Sequence, residues 1–139
     1  MNHKRVSQQQ LEDLAAQFVL TLKPGDVVYM EGDLGVGKTT FVRAAIQALL
    51  GNDEPVASPT FTILQWYDAD PPIWHYDLYR IMDPDELLEL GMDEAFSNGI
   101  TFIEWPQRMG QMGRRPYYTV KIELASTQEE RLLMIQQHI

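Results

Sequence analysis

The residues with the clearest chemical potential stand at positions 32–40, where the chain reads Gly-Asp-Leu-Gly-Val-Gly-Lys-Thr-Thr. The first eight match the pattern G-x-x-x-x-G-K-[ST] in full, which is typical of a loop that wraps a phosphate chain. Glycines suit such a loop because backbone N–H groups approach phosphates closely only where side chains are absent. The pattern predicts that Lys38 reaches the β- and γ-phosphates and that the Thr39 hydroxyl binds magnesium. We therefore expect ATP or another nucleoside triphosphate to bind here with Mg2+, through Gly32, Asp33, Gly35, Val36, Gly37, Lys38, Thr39 and Thr40.

Carboxylates at the ends of predicted strands are the second chemical signal. A loop of this kind works with an acid at a strand end that holds magnesium, directly or through water. The apolar run 100–103 leads to Glu104, and the run 73–76 leads to Asp77. The residues alone do not rank these two carboxylates, so both are candidates for the metal site and for catalysis.

Three other features have weaker chemical signals. The hydroxyl-rich segment 58–62, which includes Thr60, is able to sense a γ-phosphate, although a plain turn that enters a strand explains it more simply. His75 lies in an apolar run and no cluster at metal-ligand spacing surrounds it, which predicts a packed core histidine. Trp105 follows Glu104 directly and is a candidate border of the nucleotide site, although its default interpretation is a core residue.

Hydrophobic spacing and turn residues predict the elements that would hold these residues. Ser7 and Gln10 form a capping-box pattern ahead of apolar residues at helical spacing, which predicts a first helix over 7–22. Gly51 would close a helix over 38–50. The other predicted elements are strands at 27–30 and 100–103, a hairpin of 61–67 with 73–79, helices from Asp83 to Gly91 and over 93–96, and a closing antiparallel pair of 117–124 with 131–136. Together they predict a three-layer α/β fold with a mixed β-sheet flanked by helices.

Composition limits the class of protein. With 139 residues, 45% of them hydrophobic, the chain is predicted to fold as a single domain over 1–139. A formal net charge of −9 argues against a free-standing RNA- or DNA-binding domain, which normally has a basic face. The absence of cysteine excludes disulfides and thiolate zinc sites. No apolar run reaches membrane-spanning length, and no apolar stretch that would make a signal peptide follows Lys4 and Arg5, so we expect a cytoplasmic protein that contacts no membrane. With no thiolate ligand in the chain, we also expect no bound zinc.

Four segments, taken together and in this order, resemble one known family. They are the loop at 32–40, Ser-Pro-Thr-Phe-Thr at 58–62, His-Tyr-Asp-Leu-Tyr-Arg at 75–80 and Ile-Glu-Trp-Pro at 103–106. The set resembles the bacterial TsaE (YjeE) family, the small ATPases of tRNA threonylcarbamoyladenosine synthesis. The resemblance implies a P-loop NTPase fold with a mixed sheet. It also implies a Mg2+-dependent ATPase in which Thr39 and Glu104 hold the metal, Asp77 lies near the γ-phosphate and supports hydrolysis, and Thr60 belongs to a switch-like loop.

The resemblance also implies partners. TsaE proteins assist the TsaB–TsaD complex, which transfers a threonylcarbamoyl group to the adenosine 3′ of the anticodon, so tRNA would be met only through that complex. In this family ATP hydrolysis is thought to reset the complex between turnovers, and the ATPase would be weak alone. One feature departs from the pattern, because the terminal hairpin turn reads Ser126-Thr127-Gln128 where family members often have an arginine, and Arg131 follows further on.

Two other functions remain open from the residues. A small P-loop kinase would phosphorylate a metabolite, and it needs an acceptor pocket and a lid with arginines that close over the phosphates. Arg108, Arg114 and Arg115 are candidates for such a lid, but the stretch between the loop and Glu104 is short for both parts. A nucleotide-gated binding module with negligible turnover is the third hypothesis.

Overall fold

The computed structural model describes residues 3–51, 55–56, 63–113 and 117–139. The strands in this part of the chain are β1 (Lys4–Ser7), β2 (Val27–Glu31), β3 (Leu64–Tyr67), β4 (Ile73–Asp77), β5 (Ile100–Glu104), β6 (Tyr117–Leu124) and β7 (Glu130–His138). They form one seven-stranded sheet in the order β1-β7-β6-β2-β5-β4-β3. The sheet is mixed, as predicted, with β6, β2, β5 and β4 parallel in its centre and antiparallel partners on both sides.

The parallel strands in the centre of the sheet determine which candidate site residues lie close together. Because β2, β5 and β4 run in the same direction, their carboxyl ends lie at one edge of the sheet, where α/β proteins bind their ligands. Glu104 pairs in register with Met30 of β2 on one side and with Asp77 of β4 on the other. The loop that follows β2 is thereby brought to the two strand-end carboxylates.

Helices cover both faces of the sheet. They are α1 (Gln8–Val19), α2 (Lys38–Leu50), α3 (Glu86–Glu89) and α4 (Met92–Asn98), and a 3-10 helix spans Pro106–Met112. Because side chains alternate along a strand, Val28 and Met30 join the core beneath α1 and α2, whereas Val27 and Tyr29 join the core beneath α4 and the 3-10 helix. These three layers confirm the α/β fold class.

Local chemistry places the ends of the two long helices. Ser7 Oγ accepts a hydrogen bond of 3.2 Å from the Gln10 N–H, and Gln10 Oε1 accepts one of 2.9 Å from the Ser7 N–H. This is the predicted capping box, and it starts α1. At the end of α2, Gly51 has a φ of 75° and donates to Gln47 O at 2.9 Å, as expected for a left-handed glycine cap.

Several predicted boundaries were wrong. The strand predicted to reach residue 79 ends at Asp77, because the chain turns there and the Tyr79 N–H donates to Asp77 Oδ1 at 3.0 Å. The helix predicted from Asp83 begins at Glu86, because the first backbone bonds, from Glu86 N–H to Asp83 O and from Leu87 N–H to Pro84 O, span three residues and not four. The short strand β1 was not predicted, since its pairing with β7 is a long-range contact.

Within the residues described here, no helix combines the length and the apolar character that crossing a bilayer requires.

Candidate functional site

The glycine-rich loop connects β2 to α2 and has the backbone of a phosphate-binding loop. Gly32, Gly35 and Gly37 have φ values of 146°, 78° and 117°, which residues with a Cβ rarely adopt. No side chain caps the start of α2, where Gly37 is the N-cap residue. The N–H groups of the first helical turn therefore point into the loop as donors for an anion.

Gly32 is the position in this loop where a side chain would collide. A Cβ there would lie 2.5 Å from Ile122 O and 2.8 Å from Val36 Cγ2, whereas one at Gly35 would meet nothing within 4 Å. Gly35→Ala should therefore cost only the strain of a positive φ, about 1–2 kcal/mol. Gly32→Ala should lower the free energy of unfolding further, because the collision with the β6 backbone adds to the strain. Urea unfolding without nucleotide measures both, and equal losses would contradict the steric argument.

Lys38, the first residue of α2, is buried at the mouth of this loop. Its Nζ donates a hydrogen bond of 2.7 Å to Gly32 O and lies 4.2 Å from the centroid of the Trp105 ring. Burial lowers the pKa of Lys38 below its ordinary value, and the neighbouring carboxylates, led by Glu104, oppose this shift. The ammonium group is thus held by the loop's own carbonyl and an indole, and a phosphate would replace these contacts.

Asp77 and Glu104 face the loop across one cavity. This cavity, of about 260 Å3, is lined by Leu34, Gly35, Gly37, Lys38, Thr39, Thr40, Asp77, Glu104 and Trp105. Burial raises the pKa of Asp77 above its ordinary value, a shift that the Tyr79 N–H opposes and the charge of Glu104 reinforces. The structure therefore brings together the lysine, the hydroxyl and both carboxylates that the sequence singled out. Thr60 lies outside the described residues, so its role stays a prediction.

The oxygen donors in this cavity suit magnesium. Mg2+ prefers oxygen ligands and is typically bound by one or two protein groups together with phosphates and water. The Thr39 hydroxyl and the Glu104 carboxylate both line this cavity and would be such a pair. In the part of the chain that the structure covers, no three histidine, cysteine, aspartate or glutamate residues cluster as a self-sufficient metal site. A hydroxyl and a carboxylate fit an ion that receives its remaining ligands from phosphates and water.

His75 is the site residue that the sequence interpretation missed. It is a buried histidine, as predicted, but its Nε2 lies 2.7 Å from Glu104 Oε2. One signal was present, because His75 precedes Asp77 by two residues and alternation places both on the same face of β4. The contact with Glu104 depended on the register between β4 and β5, which no local pattern shows.

A second cavity continues from the first along the loop. It has a volume of about 290 Å3 and is lined by Gln8, Leu11, Gly35, Val36, Gly37, Thr40, Gln128, Glu129 and Arg131. Arg131 reaches it from β7, and its Nε donates to Val36 O at 2.9 Å. The turn between β6 and β7 contains no arginine, but Arg131 on β7 lies beside the loop. Its hydrogen bond to Val36 O joins the β6–β7 hairpin to the loop.

The fold and the site define a class: an α/β protein with a P-loop-like architecture, whose glycine-rich loop faces carboxylates on neighbouring parallel strands. The family model described as "Threonylcarbamoyl adenosine biosynthesis protein TsaE" matches residues 5–133. The chain belongs to the TsaE family, which takes part in tRNA threonylcarbamoyladenosine biosynthesis, and the resemblance found in the sequence is confirmed.

Individual relatives agree with this assignment. The chain is 40% identical over 119 residues to the tRNA threonylcarbamoyladenosine biosynthesis protein TsaE of Rickettsia bellii, covering 85% of this chain and 83% of the relative. It is 41% identical over 104 residues to the protein of that name from Bacillus subtilis, covering 73% and 64%. A crystal structure of Bacillus subtilis YdiB superimposes with a TM-score of 0.73 at 27% identity, covering 97% of this chain and 87% of that one.

Proposed function

We propose that this chain is a magnesium-dependent ATPase that assists the TsaB–TsaD complex in the threonylcarbamoyl modification of the adenosine 3′ of the anticodon in tRNA. The observation that carries the proposal is the convergence of Lys38, Thr39, Asp77 and Glu104 on one cavity beside the uncapped start of α2. Membership of the TsaE family supplies the biological setting.

The triphosphate would lie along the loop. Backbone N–H groups of the loop and of the first turn of α2 would bind the phosphate oxygens, and Lys38 would exchange its bond to Gly32 O for the β- and γ-phosphates. Thr39 and Glu104 would hold Mg2+, which neutralises phosphate charge when bound. Asp77 is the candidate group that orients the attacking water and accepts its proton, since burial moves its pKa toward the working pH.

The nucleoside fits the cavity that Arg131 lines. In our proposal the γ-phosphate lies beside Lys38 and the two carboxylates. The nucleoside, at the opposite end of the triphosphate, would then lie at the other end of the loop. The second cavity shares Gly35, Gly37 and Thr40 with the first, and neither Lys38 nor a carboxylate of the first cavity lines it. We therefore place the ribose and base between α1, the start of α2 and the hairpin turn.

This site is short of positive charge for rapid hydrolysis. Among the described residues that line the first cavity, Lys38 is the one cation and stands against two carboxylates. Arg131 is already bonded to backbone carbonyls of the loop and hairpin. Groups supplied by a partner raise such rates by 10³–10⁵ in related GTPase systems. This charge balance supports the proposal of an ATPase that is weak alone and is stimulated by a protein partner.

The decisive experiment measures phosphate release by the purified chain alone and with the TsaB–TsaD complex, and follows modified adenosine in tRNA over many turnovers. We expect slow hydrolysis alone, a clear rise with the complex, and no rise when Lys38→Ala replaces the natural chain. The proposal would be refuted if adding this chain to the TsaB–TsaD complex changed neither the ATPase rate nor the yield of modified adenosine over many turnovers.

A small-molecule kinase would then become the leading function. One observation favours it as second candidate: a cavity of about 950 Å3 opens beside Lys38 and Trp105 at the ends of β2 and β6. An acceptor metabolite would fit there, and ATP would be consumed in step with that metabolite. A nucleotide-gated binding module would show turnover in neither assay.

A further inference from the structure

Within the described part of the chain, His75 has one side-chain hydrogen bond, and the proposed chemistry has given it no role. The side chain is 0% exposed, and Glu104 is 4% exposed. The distance between His75 Nε2 and Glu104 Oε2 is 2.7 Å, which is a short hydrogen bond. A carboxylate only accepts hydrogen bonds, so Nε2 must carry the proton and donate it. The bond therefore places a proton on His75 Nε2 and fixes the position of one carboxylate oxygen.

The register of β4 and β5 determines how His75 and Glu104 lie relative to each other. His75 pairs with Phe102 on β5, two residues before the pairing of Asp77 with Glu104. Alternation places His75 and Asp77 on one face of β4, with His75 deeper in the sheet. From this place His75 Nε2 lies within hydrogen-bond distance of Glu104 Oε2, and Glu104 also lines the cavity beside the loop. In the arrangement that we propose below, the other oxygen, Oε1, would bind a ligand in this cavity.

Packing alone does not account for a histidine here. His75 Nδ1 is buried and has no hydrogen-bond partner among the described residues. A buried polar atom without a partner costs stability, so packing by itself gives no reason for an imidazole in this place. Burial of Nδ1 without a partner lowers the stability of the fold, whereas Nε2 orients the Glu104 carboxylate.

We propose that His75 is a positioning residue that holds the Glu104 carboxylate ready for Mg2+. The inference rests on the proposed function, because it assigns a role relative to the metal site of that function. Groups that orient a metal ligand through its second atom typically contribute 10–100-fold to metal affinity or activity. Without this bond, Glu104 would turn among several rotamers and present its charge to the metal only part of the time.

The test compares two amide replacements. His75→Gln places an amide nitrogen near the position of Nε2, whereas His75→Asn is one carbon shorter and does not reach Glu104. Manganese binding to the ADP-bound protein, followed by electron paramagnetic resonance, reports on metal affinity without turnover. We expect His75→Asn to weaken Mn2+ binding roughly 10–100-fold and His75→Gln to stay within a few-fold of the natural chain. ADP affinity in EDTA should be the same in all three proteins.

The outcomes separate this inference from the proposed function. Unchanged Mn2+ affinity in folded His75→Asn, or an equal loss of ADP affinity in EDTA, would overturn the positioning role. If Glu104→Gln also left Mn2+ affinity unchanged, the proposed metal site itself would be wrong. In the double variant His75→Asn/Glu104→Gln, metal binding should be no weaker than in Glu104→Gln alone, and a further loss would show that His75 acts elsewhere.

A measurement on the natural chain covers the case in which His75→Asn does not fold. Nitrogen-15 spectra of the histidine rings should show the Nε2–H tautomer of His75 in the free protein and after addition of ADP and Mg2+, with His75→Gln assigning the signal. A switch to the Nδ1–H tautomer on metal binding would mean that the bond to Glu104 breaks, and the inference would fail.

Discussion

Lys38→Ala is expected to remove productive ATP binding. The Lys38 ammonium is the cation that the loop places beside the β- and γ-phosphates, and hydrogen bonds to charged groups contribute about 1.5–3 kcal/mol each. Loss of two such bonds corresponds to an affinity lower by on the order of 10²–10⁴-fold. Calorimetric titration with ATP and Mg2+ measures this loss, and hydrolysis should fall with it.

The matched control is Lys121→Ala. Lys121 is a neighbouring lysine in the adjoining cavity, but its Nζ forms an exposed ion pair of 3.4 Å with Glu123, and such pairs contribute little to stability. We expect this variant to bind ATP like the natural chain. Both proteins should be checked by urea unfolding, because Lys38→Ala also leaves Gly32 O without its donor. A folded Lys38→Ala with unchanged affinity and hydrolysis would mean that the phosphates do not bind at this loop.

The second large effect is expected at the two carboxylates. Glu104→Gln keeps the size and the acceptor oxygen for His75 but removes the charge, so metal affinity and hydrolysis should both fall sharply while the fold survives. Asp77→Asn should lower hydrolysis by about 10²–10⁴-fold, the usual contribution of a general base. It should spare metal affinity more than Glu104→Gln does.

Metal titration of the hydrolysis rate, together with Mn2+ binding, gives the ranking of the two variants. Asp77→Asn retains an oxygen that accepts the hydrogen bond from the Tyr79 N–H, so the turn after β4 should be preserved in the variant. If Asp77→Asn weakened metal binding more than Glu104→Gln, Asp77 would be the metal ligand and Glu104 the catalytic group. Equal metal affinity in both variants and in the natural chain would exclude a metal site at this edge.

Features predicted correctly from the sequence are those in which the chemistry lies within a few residues. The capping box needs only Ser7 and Gln10, and the end of α2 needs only a glycine that adopts a positive φ. The loop at 32–40 is equally local, since its glycines, lysine and hydroxyl follow one another along the chain. In each of these features the interacting residues are close neighbours in the sequence, so the pattern can be interpreted without knowledge of the tertiary structure.

Features decided by the tertiary structure join distant segments. From the residues alone, Asp77 and Glu104 were equivalent strand-end acids, and only the parallel register of β4 and β5 pairs them and places His75 against Glu104. Arg131 reaches Val36 across 95 residues, which explains how an arginine outside the hairpin turn still contacts the loop. Such contacts depend on strand order and register, which are set by the burial of both sheet faces together and not by any local pattern.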